Sequence, residues 1–234
     1  MAQRSPEDGV AVVVGAAGPV GAAVVERLRA EGLKVAGLDS REGVGDLHVT
    51  VDATDRAALA GAVDKVVSEL GPISVLVTAP SLYDQAAAGT MDKARWERLL
   101  KAHLGVTTNA VATVVPAMVA AGRGTVVITS SWLALAGIPG EAYMAAATGT
   151  LLSFTKGFSM EVAPAGVRVN CVAVGPMTSE AGAGAPAAGT PFAVDLPLGR
   201  CATLDEVADT VVFLVHEGDF YVGQVFEPAA GAVV

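Results

Sequence analysis

Valine-rich apolar runs recur along the 234 residues, separated by stretches with helical period. They read "VAVVV" (10–14), "LKVAGL" (33–38), "ISVLVT" (73–78), "TVVIT" (125–129), "VRVNCVAV" (167–174) and "GQVF" (223–226). Most are continuously apolar, the pattern of strands in a parallel sheet covered on both faces. A further strand is expected just ahead of Asp52. Between them, segment 19–31 repeats Val20, Val24 and Leu28 on one helical stripe, with Glu26, Arg27 and Arg29 elsewhere. Helices are also expected over 54–69, with Thr54 as N-cap and Gly71-Pro72 beyond its end, and over 92–121, 141–163 and 204–216. Alternation of this kind predicts an α/β fold, a single Rossmann-type doubly wound parallel sheet flanked by helices. The low-complexity stretch "TSEAGAGAPAAGTP" (178–191) is expected to form a mobile substrate-side loop, spanning about 178–196.

Composition removes several functions. A net charge of −9 opposes nucleic-acid binding, which needs basic patches. The two cysteines, Cys171 and Cys201, are no disulfide framework. The longest apolar stretch, Val10–Val25, is glycine-rich and broken by Pro19, and falls short of the roughly 18 residues of a spanning helix. A cytoplasmic protein that acts on a small molecule, with no membrane or nucleic-acid partner and no metal, is expected.

"VVVGAAGPVGAAVVERL" sets Gly15, Gly18 and Gly21 between the first strand and first helix. Glycines there permit a tight turn and close approach of a pyrophosphate, which a helix N-terminus attracts. Asp39 ends the second strand after Gly21, where a carboxylate binds ribose hydroxyls and repels a 2′-phosphate. NAD is therefore favoured over NADP, with Arg41 close enough to soften the preference. Asp52 is placed to line an adenine pocket. Asp39 and Asp52 as ordinary turn residues, with no cofactor, is the alternative.

The chain resembles a short-chain dehydrogenase/reductase over nearly its whole length. The resemblance rests on "VDATD", "SVLVTAP", "VVITSSW" with Tyr143 downstream, "GVRVNCVAVGP", "PLGR", "DEVADTVVFL" and "GQVF". It implies homodimers or homotetramers built through the two long helices. It also implies catalysis by a serine and a tyrosine, with a lysine four residues after the tyrosine and an asparagine on the preceding long helix. Carried onto this chain, Ser130 precedes Tyr143 at the family's usual separation, with Ser131 as a nearby substitute. The lysine position falls on Ala147 and the asparagine position on His103, a candidate base or relay.

Loss of the lysine matters because a nearby cation lowers a tyrosine pKa by about 1–3 units. Three functions follow. One is NAD(P)-dependent oxidoreduction of a small ketone or alcohol with an altered tetrad. Another is non-redox acid/base chemistry on the same scaffold, as in halohydrin dehalogenases, an eliminase, a cyclase or an isomerase. The last is an inactive accessory member. Trp132, Leu133, Tyr83 and Met177 are candidates for an apolar substrate pocket.

Overall fold

The computed structural model describes residues 9–87, 89–177 and 196–232. The strands are β1 (Val10–Val14), β2 (Lys34–Asp39), β3 (Leu47–Thr50), β4 (Ile73–Thr78), β5 (Gly124–Ser131), β6 (Val167–Val174) and β7 (Val225–Phe226). They form one parallel sheet in the order β3-β2-β1-β4-β5-β6-β7. The helices are α1 (Pro19–Ala30), α2 (Arg56–Leu70), α3 (Lys93–Leu100), α4 (Val106–Ala121), α5 (Ala142–Val162) and α6 (Leu204–His216). The doubly wound architecture expected from the alternating runs is the one observed. The greater part of the expected loop, 178–195, lies outside the described residues.

Strand alternation builds the two cores. On one face Val10, Val12 and Val14 of β1 pack with Leu59 and Val63 of α2, Val111 and Val115 of α4 and Leu151 of α5. On the other, Ala11 and Val13 meet Val24, Val25 and Leu28 of α1 and Val211 and Leu214 of α6. Each fully buried valine or leucine contributes about 1.5–3 kcal/mol. The run Lys93–Ala121 is long and apolar enough to cross a membrane by length and composition, with a mean hydropathy of 1.6 in its most apolar window. Here Ala110, Val111, Val114, Val115 and Met118 of that run are buried in the protein.

Two expectations need correction. The N-cap of α2 is Asp55, whose Oδ1 accepts from the N–H groups of Ala57 (2.9 Å) and Ala58 (3.1 Å). Thr54 instead donates its N–H (2.9 Å) and hydroxyl (2.7 Å) to Asp52 Oδ1. The helix expected over 92–121 is interrupted by a π turn at Lys101–Gly105, which holds His103.

The carboxyl edge of the sheet is where a site can form. Strand order reverses between β1 and β4, and a crevice opens beyond the strand ends there. Polar side chains on β6 tie the far side of the sheet together. Arg168 on β6 donates to the carbonyls of Leu214 (2.9 Å) and Gly218 (2.7 Å) at the end of α6, and Asn170 Oδ1 accepts the Gln224 N–H at 3.0 Å.

Candidate dinucleotide and substrate site

Gly15 leaves β1 with φ +93°, a backbone that side-chain-bearing residues rarely adopt, and a Cβ there would lie 2.3 Å from the Ala79 carbonyl oxygen. At Gly21 a Cβ would lie 2.1 Å from the Gly15 oxygen, so this glycine lets α1 sit tightly on the turn. Gly18 is the N-cap of α1, with extended backbone and no side-chain cap. Pro19 follows at the first helical position, where its missing N–H costs nothing. The first turn of α1 carries no acidic residue. Its free N–H groups and the helix dipole would favour an anion there.

That turn borders a cleft of about 540 Å³, lined by Gly15, Asp39, Arg41, Asp52 and Thr54 among others. Gly15, Asp39 and Asp52 thus share one wall, while Gly18 and Gly21 shape the turn behind it. Asp39 is buried at the end of β2. Its Oδ2 accepts the Ala17 N–H at 3.0 Å and its Oδ1 the Arg41 N–H at 3.0 Å. The carboxylate is therefore part of the turn, with lone pairs remaining for a ligand hydroxyl. Asp52 is exposed, and the two bonds from Thr54 hold its carboxyl below the usual range. An uncapped helix N-terminus, a carboxylate at the end of β2 and a cleft of this size fit a dinucleotide.

A second cavity, about 130 Å³, shares Pro19, Pro80, Ser81 and Leu82 with the cleft. Trp132, Leu133, Tyr83 and Met177, the expected pocket residues, all line it, as do His103, Ser130 and Ser131. Tyr143 is not among the lining residues. Its ring rests on Trp96 of α3, with centroids 5.8 Å apart. The residues that α5 turns to this cavity are Met144 and Thr148, four apart on the stripe facing the sheet. Ala147 is fully buried in a cluster with Leu99, Trp132 and Leu133.

This corrects the reading of the pair. A helix advances about 100° per residue, so Tyr143 and Met144 cannot serve the same cavity face. Ser131 stands as far before Met144 as Ser130 stands before Tyr143. In the frame the cavity defines, the tyrosine position holds Met144 and the lysine position Thr148. Ser130 is buried and donates its hydroxyl to the Thr148 carbonyl at 2.9 Å, while Ser131 Oγ accepts the Leu133 N–H at 3.2 Å. Sequence reasoning missed Met144 and Thr148. The helical period carrying Met144, Thr148, Leu151 and Thr155 toward the sheet is the signal that finds them.

His103 is brought to the cavity by the π turn, with its Nε2–H donating to the Leu82 carbonyl at 2.8 Å. That bond fixes the tautomer and leaves Nδ1 as an acceptor. Burial lowers the His103 pKa, with the Leu82 bond opposing. The folded protein therefore resists protonating a group that titrates near 6.5 when unfolded. The stability this provides is present above about pH 6.5 and is lost as pH falls through the lower folded value. Thermal melts across this range should show a steeper acid loss in the parent than in a His103→Asn variant. Superimposable pH profiles would contradict it.

Tyr83, which also lines the cavity, donates its hydroxyl to Glu141 Oε1. Burial and the adjacent carboxylate both raise the Tyr83 pKa. Glu141 had no signal in the sequence, being 58 residues from its partner.

A family model described as enoyl-(acyl carrier protein) reductase matches residues 15–231. The chain is 31% identical to cis-4-hydroxycyclohexanecarboxylate dehydrogenase of Sinomonas cyclohexanicum, covering 95% of both proteins. It is also 31% identical to a 3-oxoacyl-(acyl-carrier-protein) reductase of Thermotoga maritima, covering 97% of this chain and 99% of the relative. Among solved structures, ligand-free aldohexose dehydrogenase of Thermoplasma acidophilum superimposes with a TM-score of 0.85 at 23% identity, over 96% of this chain and 93% of that one.

Proposed function

Because the chain belongs to the short-chain dehydrogenase/reductase superfamily of NAD(P)-dependent oxidoreductases, we propose that it is a dinucleotide-dependent oxidoreductase acting on a small alcohol or ketone. The observation that carries this reading is the common wall of Pro19, Pro80, Ser81 and Leu82 between the two cavities. A dinucleotide held at α1 and Asp39 would extend across that wall toward the cavity that His103, Ser130 and Ser131 line. When bound, the nicotinamide supplies or accepts hydride. The residues of the chain bind, orient and handle protons. Ser131 offers a hydroxyl to the substrate oxygen, and His103 Nδ1 offers a lone pair for a proton. Trp132, Leu133, Met144 and Met177 exclude water. Asp39 favours NAD over NADP. The working form in this reading is a cytoplasmic homodimer or homotetramer.

Fluorescence titration tests it directly. NADH is expected to bind at least about tenfold more tightly than NADPH, and Asp39→Ala to erase that difference. Failure of both nucleotides to bind would overturn the reading.

A second reading, acid/base chemistry without hydride transfer, draws on Met144 and Thr148. These residues bring neither a phenol nor an ammonium to the cavity, and acid/base chemistry on the same scaffold does not require the ribose contact of a lysine. Product formation with no change in nicotinamide absorbance would select this second reading.

A further inference from the structure

Glu141 is the N-cap of α5 and only 2% exposed, yet its side chain caps nothing. Its Oε1 takes the Tyr83 proton, and its Oε2 has no hydrogen-bond partner among the described residues. Neighbouring charges are already committed. Asp84 is held by Arg95 and Arg98, Arg95 also reaches the Gln85 carbonyl, and His103 Nε2 is spent on Leu82. No lysine or arginine pairs with Glu141 among the described residues, and none lines the cavity. The α5 N-terminus, where the helix dipole favours negative charge, is the support this carboxylate has. A buried, half-satisfied carboxylate is unfavourable for folding alone.

We propose that Tyr83, oriented by Glu141, is a substrate-contacting acceptor that selects ligands carrying a hydroxyl or ammonium donor and rejects anions. A phenol has one proton, and here Glu141 holds it. Tyr83 lines the cavity, and a phenol oxygen whose proton is held by Glu141 can only accept from a ligand that reaches it. The raised Tyr83 pKa keeps the hydroxyl protonated at neutral pH, so the bond to Glu141 persists. This selection deepens the oxidoreductase reading by naming the donor-bearing ligands its cavity takes, and it does not depend on nucleotide binding.

The test uses the full chain without nucleotide, at neutral pH, with cyclohexylammonium, cyclohexanone and cyclohexanecarboxylate as probes in saturation-transfer NMR titrations. The parent should bind the ammonium at least about tenfold more tightly than the other two. Tyr83→Phe should lose that preference. Glu141→Gln, a near-isosteric change, should weaken ammonium binding about tenfold, because the buried negative charge beside the phenol is removed. Tyrosine ¹³Cζ titration gives an independent readout. Tyr83 should ionise above the usual tyrosine range in the parent and fall back in Glu141→Gln. Equal binding of the carboxylate, or undiminished ammonium affinity in Glu141→Gln, overturns the proposal. Failure of NADH to bind leaves it standing and removes only the oxidoreductase reading.

Discussion

Ala147→Lys is expected to destabilise the protein by about 4 kcal/mol or more, lowering Tm by roughly 8–16 °C. Counting four residues on from Tyr143 marks 147 as the place to restore a missing lysine. The structure puts that position among Leu99, Trp132, Leu133 and Met144, with no exposure. A lysine there has to overpack a filled cluster and either bury its ammonium or give up its proton. Both costs fall on the folded state. Scanning calorimetry gives the answer, and a Tm within about 2 °C of the parent would refute this packing.

The converse substitution should add activity. Met144→Tyr with Thr148→Lys puts a phenol and an ammonium one helical turn apart on the stripe that lines the cavity. An ammonium within about 4–6 Å lowers a phenol pKa by about 1–3 units, a tenfold to thousandfold gain in reactive tyrosinate. NADH oxidation with cyclohexanone as probe is therefore expected to rise about a hundredfold over the parent, with either single substitution giving much less. Tyr143→Phe, by contrast, should change the rate less than about twofold, since that ring serves Trp96. A large loss in Tyr143→Phe would return the tyrosine to the chemistry.

The strands were legible because parallel strands buried on two faces leave few other ways to arrange runs such as "VAVVV" and "VRVNCVAV". β1, β4 and β6 begin and end where those runs do. The turn at Gly15 and the carboxylate of Asp39 could be read for a similar reason, since a tight β-to-α turn restricts its residues locally. The phase of α5 could not be read from one spacing. The same separation starts equally well from Ser130 and Ser131, and the visible tyrosine favoured the wrong one. What decides between them is which residues the helix buries. Glu141 escaped for a different reason: its meaning depends on Tyr83, a partner fixed only by the tertiary fold. Asp55 displaced Thr54 as a cap because Asp52 claims both the N–H and the hydroxyl of Thr54.

The π turn at Lys101–Gly105 acts as a phase shifter. Such a turn amounts to one residue inserted into a continuous α-helix. Removing that residue would rewind everything on its N-terminal side by about 100°. Leu99 would swing out of the cluster under the cavity, and Trp96 would leave Tyr143. α4, on the other side, is pinned to the sheet and by Asn109 to the carbonyls of Ala53 and Thr54. A single-residue difference in length along this rod therefore sets which faces of α3 meet the substrate side. Length here is a coordinate of the site as surely as any side chain.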